Sequence, residues 1–266
     1  MKKIDSIEKN TIGNISSLLN ISAESIRKYQ KRGIINLDID ESNGYRYFNL
    51  SSINKLLRFT FYKKCGFSGE TANNLLNTES LEDIYDSVSD QIVNLEKEIT
   101  LAKLKIERLE ELREALDNID TYKNKVVECD MSSFYYVKYY KDGEVVMENK
   151  KAINNMVNLM PFATPSPVFR IEEIDNLEYG LIIDEKYMFD DKYKVGLEKF
   201  EGSKALYTIV ENTNMAYFNK NNLDYLIDYA KSHNYHIELI IGKTILSMNN
   251  LILKPSRYHE VWAIIK

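Results

Sequence analysis

The sequence predicts an α+β multidomain protein. It has an N-terminal winged helix-turn-helix, a long coiled-coil dimerisation helix and a C-terminal antiparallel sheet with duplicated β-α-β-β units. Two short helical patterns meet near residue 20 and precede the hairpin signal Asn43-Gly44. Apolar residues then repeat every seven positions, and from residue 126 strands alternate with two helices. We therefore expect three domains, at residues 1–78, 79–121 and 126–266.

Length and composition indicate a folded protein of about two domains. The chain has 266 residues, of which 44% are hydrophobic and 28% are charged. Its two cysteines, Cys65 and Cys129, lie far apart and form no CxxC pair, which predicts a reducing compartment. No apolar run approaches the length of a membrane span. We expect a cytoplasmic protein with no membrane partner.

Charge is distributed unevenly along the chain. Residues 1–75 contain 12 Lys and Arg against 7 Asp and Glu, a net charge of +5. Because the whole chain has a net charge of −5, the remainder carries −10. A basic end on an acidic chain indicates an anionic partner at that end, provided that the basic residues share one structural element.

Residues 11–33 contain two short helical patterns that break at Asn20-Ile21. Ser22 is a suitable N-cap for the second helix, which Gly33 ends. This helix turns Ile26 inward and surrounds it with basic residues: Arg27, Lys28, Lys31 and Arg32. The pattern fits a helix-turn-helix whose second helix enters the major groove. A helical hairpin with a solvated basic surface is the alternative.

The segment "NGYRYF" predicts a small β-wing, because Asn-Gly favours tight hairpin turns. Its expected flanks are Ile34-Ile35 and Tyr47-Phe48. A helix follows, capped by Ser51 or Ser52 and ended by Cys65-Gly66. The expected inner stripe of this helix is Ile53, Leu56, Leu57, Thr60 and Phe61.

Residues 4–78 resemble the DNA-binding region of the MerR family of transcriptional regulators. The resemblance lies in Ile12-Gly13 with Ser16 and Leu19, and in "IRKYQKRGII", "NGYRYF" and "KKCGFS", in the family's order and spacing. It implies that the second helix lies in the major groove while the wing contacts the DNA backbone. The residues implied at the DNA are Arg27, Lys28 and Tyr29 on the helix, Tyr45, Arg46 and Tyr47 on the wing, and Lys55 and Arg58 near phosphates.

The middle segment carries a heptad repeat without Gly or Pro. Its apolar positions are Leu81, Val88, Leu95, Ala102, Leu109 and Leu116, interleaved with Tyr85, Ile92, Ile99 and Ile106. Such a stripe predicts a coiled coil, for which a second copy of the chain is the simplest partner. A long helix packed on its own C-terminal domain is the alternative. The MerR resemblance implies an antiparallel coil in a homodimer, and a two-fold dimer predicts a pseudo-palindromic operator.

The C-terminal half, from residue 126, is predicted to be an antiparallel sheet with two helices. The strands are "SFYYVKYY", "PVFRIEEI", "YGLIIDEKYM", "SKALYTIVE", "HIELIIG" and "YHEVWAIIK", and the helices are "MENKKAINNMVNLM" and "NNLDYLIDYAKSHN". The order strand-helix-strand-strand occurs twice, which indicates a duplicated α+β domain.

The ending "YHEVWAIIK" and this duplication resemble the effector-binding domain of GyrI-like proteins and of the multidrug-sensing BmrR branch of MerR regulators. The resemblance implies that Glu260 faces a ligand cavity and compensates the charge of lipophilic cations. Alternation along the strand puts Tyr258, Glu260 and Trp262 on one face, which suits an aromatic cation. Tyr136 and Tyr179 are further candidates for the wall. A solvated glutamate beside core aromatics is the alternative.

No sequence motif points to catalysis, a cofactor or a metal: P-loop, GxGxxG, GxSxG and HExxH patterns are absent. The resemblance implies a ligand-responsive regulator rather than an enzyme. The resemblance implies promoter DNA, RNA polymerase and a small-molecule effector as partners, with activation by distortion of the DNA. One alternative is a GyrI-like hydrolase with Glu260 as base and Tyr258 as proton donor. The other is a DNA-binding protein whose C-terminal domain takes no ligand.

Overall fold

A computed structural model of the chain describes residues 10–39, 46–173, 178–212, 218, 220–248 and 256–266. The chain divides into two compact units, Met1–Ile99 and Thr100–Lys266, which we call the N-terminal and the C-terminal unit. This division falls inside the predicted coiled-coil segment, so the three predicted domain boundaries stay a prediction.

The N-terminal unit consists of short helices and a two-stranded ribbon. Its elements are α1 (Ile12–Leu19), α2 (Ala23–Lys31), β1 (Asp38–Ile39), β2 (Arg46–Tyr47), α3 (Leu50–Lys64), α4 (Gly69–Asn77) and the first part of α5 (Leu81–Asp117). The predicted pair of short helices is confirmed. Asn20 ends α1 in the left-handed conformation with φ of 51°, a geometry that asparagine tolerates better than most residues.

Each of the first four helices begins at a polar N-cap whose side-chain oxygen accepts a hydrogen bond from a backbone amide three residues later. Thr11, Ser22, Asn49 and Ser68 fill this role. The predicted cap Ser22 is thus confirmed. The predicted caps Ser51 and Ser52 were wrong, because Asn49 accepts from the Ser52 amide at 2.8 Å and starts α3 earlier.

The predicted inner stripe of α3 was right in part, because Leu56 is buried and Ile53 packs against the core. Leu56, Phe59 and Tyr62 are buried, whereas the side chains of Leu57 and Phe61 are 45% and 53% exposed. The phase of the helix follows its packing partners: the Phe59 ring meets the Tyr29 ring edge-on, with centroids 4.7 Å apart. The starting residue of a helix does not determine which of its sides is buried. Tertiary contacts do.

The ribbon that forms the wing pairs β1 with β2 in antiparallel register, Asp38 opposite Tyr47 and Ile39 opposite Arg46. The predicted flank Ile34-Ile35 was wrong, because both side chains are buried in the helical core instead. The predicted turn Asn43-Gly44 lies outside the described residues.

Helix α5 is a continuous helix of 37 residues, which confirms the helical interpretation of the heptad segment. Apolar side chains along it stay exposed, among them Leu81, Tyr85, Ile92, Ile99 and Leu109. Coiled-coil pairing with a second chain is an untested prediction. A short helix, α6 (Ile119–Tyr122), follows.

Besides the end of α5 and α6, the C-terminal unit contains nine described strands in one sheet and the helices α7 and α8. Their bounds are β3 (Val127–Met131), β4 (Phe134–Lys141), β5 (Glu144–Val145), α7 (Lys150–Asn158), β6 (Thr164–Arg170), β7 (Glu178–Asp184), β8 (Glu198–Phe200), β9 (Ser203–Asn212), α8 (Asp224–Ser232), β10 (Ile237–Met248) and β11 (Ser256–Ile265). The strand order is β3-β9-β11-β10-β6-β7-β4-β5, and β8 also pairs with β4. All these pairings are antiparallel, as predicted.

The two faces of this sheet differ. Helices α7 and α8 cover one face: Met156 of α7 and Leu226 of α8 are buried in apolar clusters with strand residues such as Val137 and Val261. Alternation sends Glu260 and Trp262 to the other face. There the end of α5 and α6 pack over the sheet, with Ala115 buried against Ile209. A cavity remains beside this contact.

Candidate nucleic-acid interface and ligand cavity

Helix α2 presents the basic surface that the sequence predicted. Ile26 is fully buried, whereas Arg27, Lys28, Lys31 and Arg32 are exposed. Lys28 forms an ion pair with Glu24 one turn earlier, at 2.9 Å. Both side chains are largely in water, so this pair contributes little to stability and competes weakly with a phosphate.

The other predicted DNA contacts occupy different environments. Tyr29 is partly buried and packs on Phe59, so its ring supports the core of the unit. The Arg58 guanidinium lies 5.5 Å from the ring centroids of both Phe61 and Tyr62. Tyr47 and Lys55 are partly buried. The backbone of Arg46 forms part of β2. Tyr45 lies outside the described residues. Their contacts with DNA stay predictions.

The C-terminal unit holds a cavity of about 440 Å³, which we call the acidic cavity. The sheet supplies Val127, Glu128, Cys129, Asp184, Tyr207, Lys243, Glu260 and Trp262, and the helices supply Arg108, Glu111, Glu114, Ala115, Asn118 and Tyr122. Five of these side chains are carboxylates and two are basic, so the wall carries an excess of negative charge. Such a wall attracts cations.

Glu260, the predicted ligand carboxylate, lies in the wall of the acidic cavity. Burial raises the pKa of Glu260, although nearby Lys243 and a hydrogen bond from Tyr207 oppose the shift. The Tyr207 hydroxyl donates to Glu260 Oε1 at 3.0 Å. Among the residues that the structure describes, no basic side chain forms an ion pair with Glu260. A carboxylate that is buried without a cation gains most from a cationic ligand.

Aromatic rings lie next to this carboxylate. Trp262, the second predicted ligand residue in the cavity, has its ring centroid 5.3 Å from that of Tyr207. The two residues are register partners across β11 and β9. Tyr122 of α6 meets Tyr207 edge-on at 5.4 Å. Aromatic faces beside a carboxylate suit a cation whose charge is spread over rings.

Three predicted wall residues lie outside the acidic cavity. The Tyr258 hydroxyl donates to Glu211 at 3.0 Å, and its ring packs beside Ile245 under the end of α5. The Tyr136 hydroxyl donates to Glu178 at 3.1 Å within the buried cluster around Phe134. Tyr179 accepts a hydrogen bond from the Phe218 amide at 3.3 Å. These hydroxyls use protein partners, so ligand contacts for them would require rearrangement.

Glu260 and Tyr258, the two groups of the hydrolase alternative, form hydrogen bonds with other partners. Tyr258 donates to Glu211, and it is Tyr207 that donates to Glu260. Burial and the neighbouring carboxylate raise the pKa of Tyr207 beyond its ordinary value, which makes it a poor proton donor in catalysis.

The sequence did not identify Tyr207, Lys243, Asp184 or Arg108 as wall residues. Lys243 Nζ lies 3.0 Å from both carboxylate oxygens of Asp184, and 5.3 Å from the Trp262 ring centroid. Alternation along β9 and β10 indicates only on which face of the sheet Tyr207 and Lys243 lie. Strand order and register, which bring the residues together, are long-range properties.

Hydrogen bonds fix the helical side of the acidic cavity. Arg108 donates to Glu111 at 3.0 Å and to Thr164 of β6 at 3.3 Å. Burial alone raises the pKa of Glu111, but hydrogen bonds from Lys186 and Tyr187 lower it below its usual value. The Tyr187 hydroxyl is 2.9 Å from Glu111. The last turns of α5 are therefore held on the sheet by polar contacts.

No group of three His, Cys, Asp or Glu side chains in the described ranges is arranged to hold a metal ion. None of the helices in the described part of the chain is long and apolar enough to cross a bilayer.

Two short helices followed by a two-stranded wing define the N-terminal unit as a winged helix-turn-helix, a class of DNA-binding domain. Residues 10–79 match the family described as "MerR HTH family regulatory protein". The N-terminal unit therefore contains a MerR-type helix-turn-helix domain.

Comparison with individual proteins gives more distant likenesses. The chain is 22% identical over 144 residues to the multidrug-efflux transporter 2 regulator of Bacillus subtilis (strain 168), covering 54% of this chain and 50% of that protein. The chain thus spans about half the length of this relative.

Two solved structures are similar at a lower level. The EcmrR–DNA complex in EcmrR-RPo is 14% identical, covering 97% of this chain and 99% of that one, with a TM-score of 0.36. HiNmlR bound to promoter DNA, described as a MerR family regulator lacking the sensor domain, is 21% identical. It covers 42% of this chain and 89% of that one, with a TM-score of 0.35. Scores below 0.5 do not establish a common fold over the superposed chains.

Proposed function

We propose that this protein is a ligand-responsive, MerR-type transcriptional regulator of the cytoplasm. It binds double-stranded promoter DNA through α2 and the wing. The contacts are made by Arg27, Lys28, Tyr29, Tyr45, Arg46, Tyr47, Lys55 and Arg58. The exposed cations of α2 support this assignment, because a basic helix surface opposite a buried Ile26 has the form of a recognition helix.

The protein acts as a homodimer that pairs through α5. Support comes from the exposed apolar stripe on this helix, which includes Ile92 and Ile99 and has no apolar cover within the described residues. Antiparallel pairing gives a two-fold axis, and a two-fold dimer matches a pseudo-palindromic operator.

The C-terminal unit senses a small lipophilic cation in the acidic cavity. One observation carries this proposal: Glu260 is partly buried beside the Trp262 and Tyr207 rings and forms no ion pair in the described structure. A cation that carries aromatic rings would supply the missing charge and fill the apolar part of the wall. Duplicated β-α-β-β units would build this domain, since β9-β11-β10 and β4-β7-β6 follow the same first-third-second order.

Ligand binding favours one of two states of the dimer on DNA. A ligand changes this equilibrium only by its differential affinity for the two states. In the activating state the promoter is bent and untwisted so that RNA polymerase engages it, and the deformability of the spacer contributes to recognition.

The test uses Trp262, the only tryptophan of the chain. The purified protein is titrated with tetraphenylphosphonium, whose charge is buried among rings, and with neutral triphenylphosphine oxide. We expect saturable fluorescence changes with the cation. Glu260→Gln should weaken cation binding by about 2 kcal/mol, while affinity for the neutral compound changes little.

Equilibrium dialysis checks the same affinities without relying on fluorescence. Glu201→Gln is the matched control, because this carboxylate is exposed and pairs with Lys199 outside the acidic cavity. Equal losses of cation and neutral binding in Glu260→Gln would show that the carboxylate does not select charge. No binding by the wild-type protein would remove the cation-sensing proposal and leave DNA binding to be tested separately.

A further inference from the structure

Lys243 and Glu260 are direct register partners on the neighbouring strands β10 and β11. Opposite charges at such a position are close enough to interact. Lys243 nevertheless directs its ammonium group to Asp184 at the end of β7, 3.0 Å from each carboxylate oxygen. No ion pair between Lys243 and Glu260 occurs in the described structure. Lys243 therefore pairs with a carboxylate on β7 rather than with its register partner on β11.

We propose that Asp184 holds Lys243 away from Glu260 and thereby keeps the Glu260 carboxylate available for a ligand cation. Asp184 is then a positioning residue, and Lys243 is a tethered competitor of the ligand. This inference rests on the proposed function of the acidic cavity and names the residues that set its affinity.

The environment of Lys243 favours this arrangement. Its side chain is 15% exposed and that of Asp184 is 19% exposed, so each charge depends on a nearby partner. The ammonium group also lies 5.3 Å from the Trp262 ring centroid. Lys243 therefore already makes, at the edge of the acidic cavity, the kind of cation–ring contact that a ligand would make.

Loss of the Asp184 charge would release the lysine. The lysine chain has four flexible carbons, so its ammonium group can turn towards another acceptor. Glu260 is the carboxylate across the strand pair from it. Arg108, the other basic residue of the wall, is hydrogen-bonded to Glu111 and Thr164. The released Lys243 should therefore form an ion pair with Glu260 and neutralise its charge.

The first measurement is tetraphenylphosphonium binding by the full-length chain. Asp184→Asn should weaken binding by about tenfold or more, because an internal cation then occupies Glu260. The double variant Asp184→Asn with Lys243→Met should bind within about threefold of wild type, because both members of the pair are gone. Asp190→Asn is the matched control, since this exposed carboxylate pairs with Lys192 outside the acidic cavity.

Lys243→Met alone gives a second test that does not depend on the stability of Asp184→Asn. Removal of the competitor leaves two carboxylates facing the ligand, so cation binding should become tighter. Weaker cation binding in this variant would overturn the inference, as would an Asp184→Asn loss that Lys243→Met fails to reverse.

A measurement without ligand separates this inference from the proposed function. The Glu260 side-chain carboxyl, labelled with carbon-13 and assigned by Glu260→Gln, is titrated by NMR. The titratable groups that face it are Lys243, Arg108, Asp184 and Tyr207. Asp184→Asn should lower the pKa of Glu260 more when Lys243 is present than in the Lys243→Met background. Loss of the Asp184 charge lowers this pKa in both backgrounds, whereas pairing with the released lysine requires Lys243.

The combined outcomes are distinct. If the wild-type protein binds no cation but Asp184→Asn lowers the pKa of Glu260 more in the presence of Lys243 than in Lys243→Met, the proposed function fails and the positioning role of Asp184 stands. If the wild-type protein binds the cation and Asp184→Asn changes neither affinity nor titration, the positioning role is refuted and the function stands.

Discussion

Helix α2 and the acidic cavity both carry many charged side chains, but these side chains differ in their exposure to water. On α2, Arg27 and Lys28 extend into water, with only an exposed ion pair between Lys28 and Glu24. In the acidic cavity, Lys243 and Glu260 are mostly buried and each has a defined polar neighbour. Exposed charges act over the Debye length and are screened by salt, whereas buried ones act at contact distance and depend on geometry.

This difference explains why one region suits a polymer of phosphates and the other suits a single small ion. A surface for a long anion needs many weak contacts that tolerate displacement along the partner. A cavity for one cation needs few contacts, each placed by strands from distant parts of the sequence. The two units can also be followed separately in experiments, because Trp262 fluorescence reports only on the C-terminal unit.

The largest expected effect comes from the core of the N-terminal unit. Phe59 is buried and contacts Tyr29, so Phe59→Ala should destabilise that unit by about 3–5 kcal/mol. Urea unfolding followed by circular dichroism should show an earlier helical transition, while the Trp262 fluorescence transition stays in position.

The neighbouring substitution Phe61→Ala is the control, because this ring is half exposed and should cost less than about 1 kcal/mol. A parallel shift of the Trp262 transition in Phe59→Ala would mean that the two units unfold together. The comparison between independently stable regions would then have to be abandoned.

Acid sensitivity of the C-terminal unit should follow from His259. Burial lowers the pKa of His259 to about 4, and its ring contacts Phe218 and Thr244. The unfolded chain takes up the proton near the ordinary pKa of histidine, while the folded chain stays neutral. The stability is therefore complete above about pH 6.5 and is lost as the pH falls toward 4, by about 3 kcal/mol.

Trp262 fluorescence gives the urea midpoint at each pH. His259→Gln removes the titrating group and should flatten the slope between about pH 6.5 and pH 4. The exposed His233 serves as the control, since His233→Gln should retain the wild-type slope. An unchanged slope in His259→Gln would assign the acid sensitivity to carboxylates instead.

The smallest expected effect is at the exposed cations. Arg27→Ala should reduce the slope of log affinity against log salt by about one for a mixed-sequence duplex. Lys97→Ala, an exposed lysine on α5 away from the predicted contacts, should leave the slope unchanged. Equal slopes for wild type and Arg27→Ala would remove Arg27 from the proposed DNA interface. They would also weaken the distinction between the exposed charges of α2 and the charges of the acidic cavity.

Local signals allowed much of the fold to be predicted. Ser22 caps α2 as expected, Gly66 follows the end of α3, and the heptad segment is one helix. Such features depend on residues within one or two turns of each other. The inner stripe of α3 was right at Leu56 but wrong at Leu57 and Phe61, because Tyr29 and the rest of the core decide which side of that helix is buried.

The candidate site was predictable only in part. Glu260 and Trp262 came from alternation and resemblance, and both line the acidic cavity. Tyr207, Lys243 and Asp184 were missed, because they join Glu260 only through the pairing of β9, β10 and β7 in the sheet. Tyr136 and Tyr179 were chosen for their residue type, and residue type does not reveal that Glu178 and Phe218 already engage their hydroxyls.

Cys129 in the wall of the acidic cavity has a consequence for redox chemistry. Burial, with Asp130 nearby, raises the pKa of this thiol above its ordinary value. At neutral pH the sulfur therefore stays protonated, and a thiol reacts with peroxides and electrophiles far more slowly than a thiolate. Burial of this wall position thus also protects the thiol from oxidation, so that a sensor of lipophilic cations would not respond to oxidants through this residue.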